Sequence, residues 1–437
     1  MGSMKSVHDG LAIINAGIEA VQADRLIQTS GCLNALGADI ETAERVFVVG
    51  AGKASLVMAS MVEAAFGDEI TSGVVTVPHG YVGTLPERCA MPSRIKVLEA
   101  GHPIPDHHGV AAAGQALELA VACTEKDLLL VLISGGSSAL WSGYAPGISL
   151  EDAAETTKLL LKSGALIQDM NIVRKHISSI AGGRLLEVAA PATVRALVIS
   201  DVVGDDVSFI GSGPCSPDAT TYSDAILVIN ELGLESRLPE SVHRHLHLGA
   251  DGLKPEPPKP GSIHDEKTDV HLIGTNKTAL DAMALAAGDS GYEIESVMYE
   301  LTGEARTIGV EVARATAQLP PGSCIIWGGE TTVTVTGPGS GGRNHELALA
   351  AAIELESLAA VGAVLSAGTD GIDGLTTAAG AWADFRTVER GRSFGVDARS
   401  ALAENDSGSF FARIGQQITT GPTHTNVTDV GVALVAR

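Results

Sequence analysis

Runs of four to eight apolar residues, each closed by a Gly- or Ser-rich turn, alternate along the chain with Ala-rich stretches of helical periodicity. Short apolar runs bounded in this way read as strands buried on both faces, and their alternation with helical stretches is the grammar of βαβ units. In the first half the strands fall at 46–49 before Gly50, 128–133 before Ser134 and 196–199 before Ser200. The second half repeats the pattern at 271–273 before Gly274, 324–327 before Gly328 and 363–365 before Ser366. Turns of this kind gather at the C-terminal ends of parallel strands, where open α/β sheets bind ligands.

Between the halves lies KPEPPKPG, residues 254–261, whose prolines neither continue a helix nor donate to a sheet and so predict a stiff linker. The expected division is therefore an N-terminal α/β domain over 4–253, the linker over 254–261 and a C-terminal α/β domain over 262–437. Just before the linker, His243, His245 and His247 alternate. In a strand they would share a face and in a helix they would not; solvated histidines are the default reading and a metal site the alternative.

Composition narrows the picture. At 437 residues the chain exceeds the roughly 250–300 at which one core stops growing, so two domains are expected. With 45% hydrophobic but 3% aromatic residues, the core must be built of Ala, Val, Leu and Ile, as in parallel strands covered by helices. Lys plus Arg number 29 against 52 Asp plus Glu, and the net charge of −23 argues against nucleic acid and anionic membranes as partners. An anionic substrate would need a local basic pocket. The five cysteines show no CxxC spacing and read as reduced thiols. No apolar run reaches about 18 residues and no signal-peptide pattern opens the chain, so a cytoplasmic location is expected.

Several turns carry candidate chemistry. VVGAGKAS supplies Gly50, Gly52 and Lys53 where a strand meets a helix: glycines for close backbone approach, an ammonium, and helical N–H groups suited to an anion. It is neither a Walker A sequence nor a full GxGxxG, and a tight turn with a solvated lysine has the same pattern. ISGGSSAL offers Gly135, Gly136, Ser137 and Ser138 as a second anion cradle. A Ser137 nucleophile is set aside, because the run is not GxSxG and no partner histidine is evident. Past the third strand, Asp201 can hold Mg²⁺, accept a substrate proton or cap a helix, with Gly213 in the glycine turn beyond.

In the second half IIWGGETTVTVTGPGSGGRNHELALA brings Glu330 after a strand, then a glycine run around Pro338 and Ser340 that closes on Arg343 at a helix start. An arginine there can fork onto phosphate or carboxylate oxygens beside the helix dipole. SAGTDGIDG contributes Asp370 and Asp373, for which turn formation is the default. Gly-rich turns with a cation on each half point to an interdomain cleft gripping more than one anionic group, with Lys53 and Arg343 expected to face one another. Phosphoryl transfer asks for that kind of positioning and charge stabilisation.

Read in order, these stretches resemble the class II glycerate kinases, the glycerate 2-kinase family whose C-terminal half is the MOFRL domain. VVGAGKAS, EAGHPIPD, LISGGSSAL, SGALIQDMNIVRKHIS, ISDVVGDD with GSGPCSPD, GGETTVTVTGPGSGGRNHELAL, AGTDGIDG and TGPTHTNVTDV carry the resemblance, which spans nearly the whole chain. It implies a Rossmann-like N-terminal domain, a smaller α/β MOFRL-type C-terminal domain, and ATP, Mg²⁺ and D-glycerate as ligands, with phosphate passing to the 2-hydroxyl. It assigns Lys53 to the family's phosphate-orienting lysine and Arg343 to its cleft arginine, with Asp201 as a further catalytic acid. Gly50, Gly52, Gly135, Gly136, Ser137, Ser138, Gly213 and Asn344 become the nucleotide-binding set. Asp201, Glu330 and Asp370 are the candidate metal acids, and a homodimer is left open. Two positions depart from the family pattern: Ala181 in SSIAGGR, where lysine is usual, and His424 in GPTHTN, where glycine is usual.

The main competing reading is a hydroxypyruvate reductase, a label some members of this family carry. GVVTVPHGY argues against a nicotinamide cofactor, since His79 stands where an acid would be needed for the ribose. A non-catalytic acid-sensing module would leave Lys53 and Arg343 without a task.

Overall fold

The apolar runs of the first half become a six-stranded sheet. Its strands are β1 (Val46–Ala51), β2 (Ile70–Pro78), β3 (Ile95–Ala100), β4 (Leu128–Ile133), β5 (Thr193–Ile199) and β6 (Thr268–Gly274), in the order β3-β2-β1-β4-β5-β6. The pairings from β3 through β5 are all parallel. Every residue of β1 and β4 is buried, as continuous VFVVGA and LLLVLI sequences require of central strands covered on both faces. Strand order reverses between β1 and β4, the switch point of a doubly wound sheet. The computed structural model describes residues 2–262 and 266–437.

The second sheet contains β7 (Glu293–Glu304), β8 (Ser323–Thr332), β9 (Ala363–Gly368), β10 (Gly380–Asp384), β11 (Gln417–Ile418) and β12 (Asp429–Val435), in the order β11-β10-β9-β12-β8-β7. Only β7 and β8 pair in parallel; β8 with β12, β12 with β9, β9 with β10 and β10 with β11 are antiparallel. The βαβ pattern expected of this half thus gives a mixed sheet. The seven buried residues of β12 insert between β8 and β9, which are adjacent in the sequence pattern but not in space.

The chain gathers into two compact units, one of Leu26–Ser200 with Asp205–Ile273, the other of Met1–Arg25, Asp201–Gly204 and Gly274–Arg437. This division departs from the expected boundaries at the N-terminal helix, at Asp201–Gly204 and at β6. The helix Gly2–Ala20 buries Val7, Ile13, Ile14 and Ile18 within the second unit rather than the first. It is fixed there by Tyr292 Oη donating to Asp9 at 2.7 Å and by the Ala436 N–H donating to Ser6 at 3.0 Å. β6, read as the opening strand of the second domain, instead extends the first sheet beside β5.

The proline-rich segment is a packed strap, not a linker. Pro257 and Pro258 are buried, and the Pro258 carbonyl accepts the Asp218 N–H at 2.8 Å. Glu256 accepts the Tyr222 N–H at 3.0 Å and lies 3.3 Å from the buried His176. Prolines cannot donate to a ladder, but their rings bury well and their carbonyls still accept. Among the described residues no helix is long and apolar enough to cross a membrane.

Candidate active site

At the switch point of the first sheet, the turns after β1 and β4 are stitched into one surface. The Lys53 N–H donates to the Gly135 carbonyl at 2.9 Å, the Ser134 N–H to Ala51 at 3.1 Å, and the Gly52 N–H to Thr76 at 3.1 Å. The Ala54 N–H donates to Ser134 Oγ at 2.9 Å, and Ser55 Oγ to the Leu132 carbonyl at 3.1 Å. Gly52 has φ 137°, a conformation closed to residues with a Cβ, and a side chain there would strike Ser134. Lys53 is only 8% exposed, so the expected alternative of a solvated lysine on a tight turn does not hold. Ala54 gives no side-chain cap to the helix Ser55–Phe66, which leaves its first turn suited to an anion.

The second turn adds hydroxyls. Gly136, left-handed at φ 89°, opens the short helix Ser137–Leu140. Ser137 Oγ is buried without a hydrogen-bond partner among the described residues, so an acceptor or donor supplied from outside would satisfy it. Ser138 Oγ lies 3.1 Å from Ser212 Oγ, which donates to Asn171 Oδ1 at 3.3 Å. Gly213, next in the chain, accepts the Gly183 N–H at 2.8 Å. Gly50, Gly52, Lys53, Gly135, Gly136, Ser137, Ser138 and Gly213 therefore all belong to this unit, and the turns bearing them are linked by the bonds just given.

Sequence reasoning missed the helix Ile167–His176 as a source of cations. Asn171 joins it to Ser212, and Arg174 and Lys175 follow one turn later. Arg174 has no hydrogen bond or ion pair among the described residues, and burial lowers its guanidinium pKa. Lys175 is buried, 3.6 Å from Asp218 and 5.5 Å from the centre of the Phe209 ring. The cationic run VRKH was the available signal, but charge at a helix end more often means a solvated face. Beside β2, His79 Nε2 lies 2.8 Å from Asp106 Oδ2 and His108 Nδ1 3.2 Å from it. Burial opposes ionisation of Asp106, yet hydrogen bonds from His79, Gly101, Gly109 and His108 hold its pKa well below the usual range.

In the second unit the expected anion site is already filled by the protein's own carboxylates. The helix Arg343–Leu358 begins at Gly342 without a side-chain cap from that residue, but the Asn344 and His345 N–H groups donate to Asp373 at 3.1 and 2.8 Å. Arg343 donates through Nε and Nη2 to Asp429 at 2.5 and 3.1 Å, and through Nη1 to Glu330 at 2.5 Å. Asn344 donates to Asp373 and Asp429 and accepts from Ser366 Oγ at 2.5 Å. Burial raises the Asp429 carboxyl to about 6 despite its arginine and asparagine partners. The same acids raise the Arg343 pKa against the opposing effect of burial. Asp373 and Asp429 were not singled out as partners, since they lie 29 and 85 residues from Asn344.

The glycine run before Arg343 is likewise consumed internally. The Thr336 and Gly337 N–H groups donate to Asn405 Oδ1 at 2.8 and 2.9 Å, the Gly339 N–H to the Glu404 carbonyl at 2.9 Å, and the Ser340 N–H to Asp406 at 2.9 Å. Glycine is needed there for close backbone packing against 404–408. Asp201 accepts from Asn426 Nδ2 at 3.4 Å, and Asp370 accepts the Ile372 N–H at 3.0 Å. Among the described residues Asp201, Glu330 and Asp370 do not form a group of three ligand atoms within 4.8 Å of one another. His424 adopts φ 54°, the left-handed region where glycine is at ease, which accounts for the usual glycine; nothing in the structure explains the histidine.

The first sheet with its stitched turns defines a doubly wound α/β protein, accompanied by a mixed-sheet unit with an arginine–carboxylate network. Residues 9–247 match DUF4147, a domain of unknown function, and residues 323–429 match the MOFRL family. The chain is 38% identical to D-glycerate 2-kinase of Thermotoga maritima over 97% of each sequence. It is 39% identical to a putative hydroxypyruvate reductase of Agrobacterium vitis over 90% of this chain and 87% of that one. The crystal structure of glycerate kinase from T. maritima matches it with a TM-score of 0.82 at 37% identity, covering 98% of both chains. The chain belongs to the glycerate 2-kinase family, with its DUF4147 and MOFRL regions in that order.

Proposed function

We propose that the chain is a cytoplasmic kinase that phosphorylates D-glycerate at its 2-hydroxyl with ATP. The observation that carries the reading is the stitched pair of turns holding the buried Lys53 beside Gly135–Gly136, on a chain 38% identical to a D-glycerate 2-kinase. In the reaction a bond forms between the glycerate oxygen and the γ-phosphorus as the γ-phosphorus–oxygen bond to ADP breaks, and the hydroxyl proton is released. Charge spread over the γ-phosphoryl oxygens is met by Lys53 and by the backbone N–H groups of Gly135 and Gly136, which need no reorganisation during transfer. Ser137 Oγ adds a hydroxyl to the bound nucleotide or glycerate.

Hard oxygen donors suit Mg²⁺, which needs only one or two carboxylates besides phosphate and water. We assign Asp201 to that ion, since Glu330 is committed to Arg343. Arg343 spends three of its five N–H donors on Asp429 and Glu330, which leaves one on each Nη for a substrate oxygen.

Incubation of the purified chain with ATP, Mg²⁺ and D-glycerate, run beside hydroxypyruvate with NADH, tests the reading. Phosphorus NMR of the product should show a doublet, from the single proton on the phosphorylated carbon; a triplet would place the phosphate on the 3-hydroxyl. Oxidation of NADH without ADP formation would replace the kinase reading with the reductase one.

A further inference from the structure

Among the described residues two groups of side chains could hold a metal ion, His79 with Asp106 and His108, and Glu235 with His243 and His247; the second lies outside the turns and networks above. In the helix Glu240–Ala250 the three alternating histidines do not share one face, as expected of a helix, but two of them do. His243 and His247 are four residues apart and lie on one face, while His245 turns inward to the His176 carbonyl at 3.0 Å and Tyr222 Oη at 3.3 Å. Glu235, in the single turn Glu235–Arg237 just before the helix, places one oxygen, Oε1, 3.1 Å from Nε2 of both histidines. The two rings are 4.3 Å apart at 40°. All three ligand atoms fall within 4.8 Å of one another.

Ligands about 2.0–2.1 Å from a tetrahedral ion lie about 3.3 Å from each other, so the two 3.1 Å separations fit one shared ion. Hydrogen bonding alone asks both Nε2 atoms to present protons to the same oxygen; an ion at that point replaces both, with each ring proton carried on Nδ1. The side chains are 41–42% exposed, which leaves an entry path and room for water in the remaining position. Ile226, Ile229, Leu238 and Leu246 line the small pocket beside the group and hold the helix and turn together. Two imidazoles and one carboxylate form a borderline donor set that favours Zn²⁺ over Mg²⁺ or Ca²⁺.

We propose that Glu235, His243 and His247 bind one Zn²⁺ ion that clamps the helix Glu240–Ala250 to the turn preceding it. The site is independent of the phosphoryl-transfer reading and of the Mg²⁺ that accompanies ATP.

Zinc titration of the metal-free full chain by calorimetry, with parallel thermal melts, tests the proposal. One equivalent should bind and raise the melting midpoint. His243→Gln, His247→Gln and Glu235→Gln should each weaken binding by more than the roughly 10- to 100-fold that outer-shell changes cost. The double variant His79→Gln/His108→Gln should bind as the unaltered chain does. Absence of binding, binding that survives all three single variants, or binding lost only in the double variant would overturn the assignment. Should a variant fail to fold, the unaltered chain still decides: one equivalent of zinc should block diethylpyrocarbonate modification of His243 and His247 but not of His79 and His108, and equal modification with and without zinc would rule the site out.

Discussion

Lys53 and Arg343 sit in sequence contexts that look alike: a glycine-rich turn, a cation, and the start of a helix. Their backbones are held in different ways. Around Lys53 the turn is stitched by neutral carbonyls and hydroxyls, and the helix after it has no side-chain cap. Around Arg343 three of the chain's own carboxylates, Glu330, Asp373 and Asp429, occupy the fork and the first helical N–H groups. The same local pattern thus builds a backbone-stitched corner in one unit and an arginine–carboxylate network in the other. What separates them is what occupies the start of the helix: carbonyls and a serine hydroxyl bond the backbone around Lys53, and carboxylates bond the one after Arg343.

The comparison breaks most sharply at Lys53. Replacing it with Ala should lower glycerate-dependent turnover by about 10² to 10³, the scale for losing one transition-state donor, with a much smaller change in ATP affinity. Near-native turnover would remove Lys53 from the mechanism. Arg343→Ala should first be a stability lesion, costing about 3 kcal/mol in denaturant unfolding, because it strands Asp429 and Glu330 without their cation. Arg343→Lys keeps the charge without the planar fork and should recover only part of that loss. If Arg343→Ala unfolded like the unaltered chain yet turned over poorly, the arginine would be a substrate ligand and the contrast with Lys53 would fall.

Asp429 sharpens the comparison through pH. Its folded pKa, raised to about 6 from 3.8, means that the folded state holds a proton the unfolded state has lost between those values. Its contribution to stability is therefore fully present below about pH 4 and is lost as pH rises to about 6, with no further change above. The stability difference between the unaltered chain and Asp429→Asn should shift across that window and be flat from pH 7 to 8; a flat difference from pH 4 to 6 would show the carboxyl to be ionised throughout. Ser137→Ala should cost no stability, since the buried hydroxyl has no partner to lose, but should weaken nucleotide or glycerate binding about 5- to 10-fold, the scale of one hydrogen bond. The smallest effect belongs to His424→Gly, where relief of a left-handed backbone offsets lost side-chain packing, leaving unfolding free energy within about 1 kcal/mol.

The strand ends at Gly50 and Ser134 could be read from sequence because an apolar run, a glycine turn and a helix are all local signals. The placements of β6 in the first sheet and of Gly2–Ala20 in the second unit could not, since each depends on a surface built from residues far along the chain. Glycine was ambiguous for a different reason: Gly52 and Gly136 shape a cradle, whereas Gly337 and Gly339 permit backbone packing, and both needs select the same residue. Asp373 and Asp429 were invisible as partners of Arg343 and Asn344, because no periodicity links a turn aspartate to the Asn344 helix start 29 residues behind it. The histidine pair at 243 and 247 was in plain view, but the wrong spacing was read.

The position of β12 also sets a clock on biosynthesis. The helix Gly2–Ala20 leaves the ribosome early with Val7, Ile13, Ile14 and Ile18 uncovered, whereas the central strand of its own sheet, between β8 and β9, starts only at Asp429. With about 400 residues between them and synthesis at about 5–20 residues per second, that apolar stripe waits roughly 20 to 80 s for its native surface. The first sheet can assemble in the meantime, so a nascent chain stalled before β12 should present one finished unit and one sticky helix, the kind of target a ribosome-associated chaperone would hold.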